Sequence, residues 1–457
     1  MEDLKAAITY SREALALRPL GHPDRVLSLN NLANTIRSSH HKFSMEDLED
    51  AITYDREALA LCPVGHPHRP MALISLARAV NDRYNKLGRM DDLDETIKCN
   101  REALELSPPG NQHHFNSLNN HASAVSTRYR QLGMMEDLEE AIRYNREALA
   151  IHPLDHPHRL KSLINLAGDL SDRYNQLGKM DDLKEAIKFN RKALALTPLG
   201  HPIRSTSLSN LATVLFIRHK KLGIMGYPDD LEDTIVYHTE ALALRPVGHQ
   251  DRCYSLYKCG NIALYLHHQF NGMANLAEAI TYYQEAITLC PLGHPLHSPA
   301  LAKLADANLY LFDLSDDLKD LDESTMLYEQ VTNDLAASFE NRLDAAMKWA
   351  NAARVYQHNS IIRAYSTSLR LLDRCLILYP DVDAQQKFLA TSKIPRSLAS
   401  DAAAAAINAQ DLEAAIELLD QGGTILWSKM EGYRSPLDQL RPVLNLNILH
   451  CRRNLGQ

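Results

Sequence analysis

The sequence contains no CxxC pair, no GxGxxG or GxxxxGK[ST] loop, no HExxH and no GxSxG. Without these there is no zinc module, nucleotide cradle, metalloprotease helix or nucleophile elbow to anchor a catalytic reading, and no enzyme activity, cofactor or metal site is expected. The 7 cysteines (Cys62, Cys99, Cys253, Cys259, Cys290, Cys375 and Cys451) are scattered and odd in number. They read as reduced thiols, not a disulfide framework. No stretch approaches the ~18 apolar residues of a membrane span, and the first 30 residues lack a signal-peptide pattern. The expectation is a cytoplasmic protein with no membrane partner. Excess positive charge is also missing: 49 Lys and Arg against 57 Asp and Glu leave a net charge of -8. Nucleic acid is therefore not expected as a partner, since there is no general attraction to phosphate backbones.

What the sequence has in abundance is repetition. The leucines of successive M-x-D-L-like stretches fall at Leu4, Leu48, Leu93, Leu138, Leu183, Leu231, Leu276 and Leu321. The steps are 44, 45, 45, 45, 48, 45 and 45 residues, with the longer one coinciding with an inserted IMGYP at 224–228. Such a period is the mark of a solenoid of stacked supersecondary units. Within a unit, Leu48, Ala51, Ile52, Ala58, Leu59 and Leu61 recur at three- and four-residue steps and form one apolar stripe of a helix. Acidic residues crowd its first turn, where they favour the helix dipole and can cap free N–H groups. PVGHP ends the helix, with Gly65 for an unusual dihedral, His66 held extended by the next residue, and Pro67 suited to a new helix start. A further helix follows at once, burying Leu29, Leu32, Ala33 and Ile36 in the first unit and Leu73, Leu76 and Ala77 in the next. Glycines 88, 133, 178 and 223 mark its end. The predicted architecture is all-α, a right-handed superhelical solenoid of antiparallel helix pairs.

The segment Ala51, Ile52, Tyr54, Glu57, Ala58, Leu59, Leu61, Pro63 resembles the second helix of a tetratricopeptide repeat, and L-x-x-L-A resembles its first helix. The unit of about 45 residues is longer than the usual 34, and is similar to the long repeats of the kinesin light chain type, which also carry HP and LNNLA. MEDLEEAIRYNREALAIHPLDHPHRLKSLINLA, 135–167, resembles the repeat region of basidiomycete CHAT-domain proteins, and the likeness extends over residues 1–442. It divides the chain into tandem repeats at 1–334, divergent helical pairs at 335–442 around Trp349 and Tyr365, and a short tail at 443–457. Gly422 and Gly423 are expected to interrupt or end the last helix.

The resemblance implies a non-catalytic scaffold that binds a protein or peptide on its concave face. It also implies an alternative, the truncated sensing arm of a CHAT-type, caspase-like protein. The CHAT module is absent before Gln457, and His450 and Cys451 do not stand in for its dyad. Ligand-facing positions would lie on the first helices, one and four residues from the LNNLA core: Asn30, Asn34, Arg37, Arg78, Asn81, Asn119, Lys161, Tyr254, Tyr257, Asn261 and Tyr265. Asparagine can bond an extended backbone, and tyrosine offers rigid area with a polar tip. Ile74, Ile164, Gly168 and Ser209 occupy equivalent places, so the repeating carboxylate clamp of chaperone-binding relatives is missing.

Other recurring residues have structural readings. His22, His66, His156, His201, His249 and His294, with Asn111 in the third unit, are expected to form turns. Stacked helices ~8–10 Å apart cannot bring equivalent histidines within ~2.1 Å of one zinc ion. Arg83, Arg128, Arg173 and Arg218, with Glu57, Glu102, Glu147 and Glu240, are expected to pair with one another in a ladder within or between repeats, on a solvated or lightly paired face, with an anion-binding strip as the alternative. Arg25, Arg69, Arg159, Arg204 and Arg252 are expected to cover apolar surface with their stems.

Overall fold

The computed structural model describes residues 2–38, 44–108, 111–151, 159–223, 227–377, 385, 388–389, 394–395 and 397–430. His156, residues 224–226 of the insertion, and the tail with His450 and Cys451 lie outside the described residues. The described chain is entirely helical, with no strand. Among the described residues, a lone helix α1 (Glu2–Ala16) precedes nine antiparallel pairs. These are α2 (Arg25–Arg37) with α3 (Met45–Ala60), α4 (Arg69–Leu87) with α5 (Met90–Glu105), and α6 (Gln112–Leu132) with α7 (Met135–Ile151). Next come α8 (Arg159–Leu177) with α9 (Met180–Ala195), α10 (Arg204–Leu222) with α11 (Asp229–Ala243), and α12 (Arg252–Phe270) with α13 (Met273–Leu289). The series ends with α14 (His297–Ser315) and α15 (Leu318–Asn333), α16 (Phe339–Val355) and α17 (Ile361–Ile377), then α18 (Leu398–Asn408) and α19 (Leu412–Met430). Packing divides the chain into two compact units, Met1–Ala241 and Leu242–Gln457. No described helix is long and apolar enough to cross a membrane.

The predicted stripes are the core. Leu29, Leu32, Ala33, Leu48, Ala51 and Ile52 are fully buried, as are their counterparts Leu163, Leu166, Ala167 and Leu183. In the first unit the first helices of neighbouring pairs also touch one another, α2 with α4, α4 with α6, and α6 with α8. In the second unit one continuous core gathers Tyr283, Tyr328, Trp349 and Tyr365. The Trp349 indole N–H donates to Ser360 Oγ at 2.9 Å.

The connectors are turns, built as their sequence dictates. The His66 N–H donates to the Pro63 carbonyl at 2.9 Å, Arg69 N–H to the His66 carbonyl at 3.0 Å, and Gly65 takes φ 92°. The histidine ring adds a further bond, because its Nδ1 accepts the backbone N–H two residues on. The distance is 3.2 Å at His66, 3.1 Å at His22, 3.3 Å at His201, and 3.1 Å at His249 and His294. Asn111 does the same in the third unit, its Oδ1 accepting from His113 N–H at 2.9 Å.

The charged residues are organised more tightly than their exposure-prone types suggest, and this corrects the expected solvated face. Arg83 forks onto Asp92, the third residue of α5, with Nε···Oδ2 3.0 Å and Nη2···Oδ1 2.6 Å. Arg128 and Asp137, Arg173 and Asp182, and Arg218 and Asp230 repeat the fork at 2.6–3.0 Å. These first-turn acids therefore serve the neighbouring helix of the pair through bidentate bonds. Ser44 and Asp47 at the start of α3 do form a capping box. The glutamates have different partners from those expected: Glu57 with Arg25, Glu102 with Arg69 and Glu240 with Arg204, at 2.6–2.8 Å. Arg25, Arg69 and Arg204 also donate to the carbonyls of Arg18, Cys62 and Thr197, so their guanidiniums seal the connector, a role beyond covering it with their stems.

The expectation at Gly422 and Gly423 is also corrected, since α19 runs through both. A Cβ at Gly422 would collide with the Cβ of Ala399 in α18. Its absence allows close helix packing.

Two predictions follow from these buried charges. Arg173→Met leaves Asp182, only 6% exposed, without its fork, and the first unit is expected to lose about 3 kcal/mol in urea denaturation; a loss under about 1 kcal/mol would place the fork among ordinary surface pairs. Asp169 in α8 is fully buried, accepting from Ser126 Oγ at 2.5 Å and Asn145 Nδ2 at 2.8 Å. Burial pushes its carboxyl up to about 6, and that of buried Asp55 likewise to about 6. Between the unfolded value near 4 and about 6 the folded chain holds protons that the unfolded chain has released, so stability falls as pH rises through this window and stays lower above it. In Asp169→Asn this fall should shrink, and the variant should gain up to about 2–3 kcal/mol at pH 7.5; denaturation midpoints measured from pH 4 to 7.5 check both.

Candidate functional site

One position on the second helices decides where the first unit is open. From Leu48 onward, the seventh residue after each M-x-D-L leucine points back at the first helix of its pair. In the first unit it is Asp55, Asn100, Asn145, Asn190 and His238, and in the second Tyr283 and Tyr328, all buried. The tyrosines fill the space. Tyr283 lies so close to α12 that a Cβ at Gly260 would be 2.6 Å from its ring, and its hydroxyl donates to Asn261 Oδ1 at 2.8 Å. Tyr328 likewise donates to Asp306 Oδ1 at 2.7 Å. Asn145 is instead plugged by polar contacts, through Asp169. Asn100 leaves its site open; its Oδ1, like those of Asn145 and Asn190, is buried without a hydrogen-bond partner among the described residues.

Above Asn100 is a groove of about 600 Å3, with Thr96 beside it on the floor and walls from α2, α4, α6 and α8. Five of the sequence-predicted residues meet there: Asn34, Arg37, Arg78, Asn81 and Lys161. Arg37 is buried and donates to Asn34 Oδ1 and to Ser75 Oγ at 3.5 Å. Arg78 and Lys161 are exposed in the groove, and no hydrogen bond or ion pair joins either to a described residue. Desolvation within the groove lowers the Lys161 ammonium from its ordinary value, and the nearby Arg78 charge lowers it further. Among the described residues of the lining the only acid is Asp82, and none is aromatic.

The other predicted residues are placed differently. Asn30 and Asn119 are each 2% exposed and so do not face a ligand, which corrects the expectation for both. Asn119 Oδ1 accepts from Ser162 Oγ at 2.5 Å, tying α6 to α8. Tyr254, Tyr257, Asn261 and Tyr265 all lie on α12, in the second unit. Asn261 is engaged by Tyr283, Tyr257 packs 6.2 Å from the Tyr283 ring, and the Lys258 ammonium sits 5.2 Å from the Tyr254 ring. Tyr265 is half-buried and also engaged.

Sequence reasoning missed two features. Asn100 was legible only as part of an apolar register, although the change from Asn to Tyr at the seventh position was there to find. The second is a cluster of Cys253, Cys290 and His294, whose ligand atoms all lie within 4.8 Å of one another. Without a CxxC pair it has no local signature.

The chain matches no family model and no curated sequence. Among solved structures it is similar to the human IFIT1 dimer with PPP-AAAA, at 14% identity and a TM-score of 0.46, covering 88% of this chain and 86% of that one. It is also similar to the TPR-like repeats of a kinesin light chain from Podosopora anserina, at 20% identity and a TM-score of 0.35, covering 48% and 98%. A tetratricopeptide repeat protein from Parabacteroides merdae is similar at 13% identity and a TM-score of 0.43, covering 68% and 93%. The structural neighbours thus include tetratricopeptide-like repeat proteins, the fold class to which the helix pairs themselves lead.

Proposed function

We propose that the first unit is a non-catalytic recognition module that holds an acidic segment of a partner protein in the groove above Asn100. The observation behind this reading is the pair of cations, Arg78 and Lys161, facing one groove without a carboxylate partner among the described residues. Elsewhere the same helices fork their arginines onto acids, in a chain that has acid to spare at a net charge of -8. Like charges held together in a partly desolvated site favour an anion that neutralises both. Asn34, Asn81 and the orphan oxygen of Asn100 supply polar groups suited to a peptide backbone.

One structural neighbour, IFIT1, is solved with PPP-AAAA, which makes phosphate a competitor for the same cations. Acidic peptide is favoured because the lining, among the described residues, has no aromatic side chain on which a base could stack. The regulatory-arm reading has no structural observation on its side.

Fluorescence anisotropy of the full chain with a labelled Glu-rich peptide, a neutral peptide of equal length and a single-stranded oligoadenylate tests this. The Glu-rich peptide should bind in a salt-sensitive manner, at least ~10-fold more weakly to Arg78→Glu/Lys161→Glu. Asn100→Tyr, which fills the floor as Tyr328 does opposite Ala305, should weaken it without altering helicity. Binding of the oligoadenylate alone, or peptide binding indifferent to both variants, overturns the proposal.

A further inference from the structure

Antiparallel pairing brings the start of α12 beside the end of α13. Cys253 is the second residue of α12, Cys290 caps α13, and His294 lies in the connector that follows. We propose that these three side chains form a binding site for Zn2+, with two thiolates and one imidazole as ligands and a fourth position open to water.

The geometry suits such an ion. Cys253 Sγ and His294 Nε2 are 4.0 Å apart, and all three ligand atoms lie within 4.8 Å of one another. Zinc–sulfur and zinc–nitrogen bonds of ~2.3 and ~2.0–2.1 Å at tetrahedral angles separate ligand atoms by about 3.5–3.8 Å. The cluster must therefore contract by less than about 1.3 Å, within reach of side-chain torsions. Both sulfurs are buried while His294 is half-buried, so the site is closed on the sulfur side and reaches solvent at the histidine. Two thiolates neutralise the ion, and soft sulfur selects zinc over magnesium or calcium.

The proton balance is explicit. Zinc binds thiolates, so each thiol gives up one proton on binding, and burial pushes the Cys290 thiol up to about 12. The imidazole binds through one ring nitrogen and must change tautomer to do so. In the metal-free turn Nδ1 accepts the Leu296 N–H at 3.1 Å, which puts the ring proton on Nε2. Zinc at Nε2 requires that proton to move to Nδ1, so the Leu296 N–H loses its partner. Ion binding is thus coupled to one identifiable hydrogen bond of the connector.

The molecule contains its own control. The corresponding junction of the first unit has Cys62 and His66, but Val26 stands where Cys253 stands, and Val26 and Cys62 pack in one apolar cluster. Cys253→Val therefore installs an arrangement this fold already uses. It also explains why connector histidines alone cannot bind an ion: the site needs a cysteine at both helix ends.

The test uses the reduced full chain. Zn2+ is titrated against a chromophoric chelator, and Co2+ serves as a spectroscopic surrogate. The wild type should bind one more equivalent of zinc than Cys253→Val, show thiolate-to-cobalt charge transfer that the variant lacks, and weaken at least ~10-fold in His294→Ala. Hydrogen exchange at the Leu296 amide should speed up on zinc addition in the wild type only. Equal stoichiometry and affinity in wild type and Cys253→Val overturn the proposal. So does a Cys253–Cys290 disulfide in the purified chain that, once reduced, gives no extra zinc equivalent.

Discussion

The fork between the late arginine of a first helix and the third residue of its partner is the interaction on which the first unit depends. Arg83 and Asp92 are too far from water to be left single and are placed where the hairpin closes, so they fix how far along each other the two helices lie. Every apolar contact of the pair inherits that alignment. Leu166 and Leu183 share one apolar cluster only if the register is kept. A buried ion pair is not a large source of stability, but a broken one is a large penalty, and the penalty falls on any competing alignment.

That alignment also decides what the seventh residue of the second helix can do. Held opposite the small residue of L-x-x-L-A, it either fills the gap or leaves it. Tyr283 fills it and is accompanied by Gly260, the only small residue its ring tolerates there. Asn145 fills it through Asp169 and Ser126. Asn100 leaves it open, and the cations of three first helices collect above the opening.

The fold was legible because stacked repeats state the same physical solution several times: period, stripe, turn and helix end each recur. The histidine turns were legible for the same reason, though not the hydrogen bond from Nδ1 that completes them. Part of the groove was legible too, since Asn34, Arg37, Arg78, Asn81 and Lys161 share one face by helical spacing. Asn30 and Asn119 share that spacing but are buried, Asn119 against Ser162 of the next pair, and spacing within one helix does not report what lies across from it. The ion pairs misled because an arginine and two acids of like spacing offer several matches, and only the tertiary distance chooses. The Cys253 cluster was invisible for a related reason: Cys253 and Cys290 come close through helix pairing although 36 positions lie between them.

The exchange of Asn100 for Tyr283 between otherwise equivalent pairs has a wider meaning. The backbone of the two pairs is built from the same turns and the same apolar rows, yet one has a vacancy and the other a stopper. The open gap and the architecture are therefore encoded at separate positions, one residue per repeat for the former and many for the latter. A stack built this way can move its open gap from repeat to repeat by a single exchange and leave the rest of the repeat untouched.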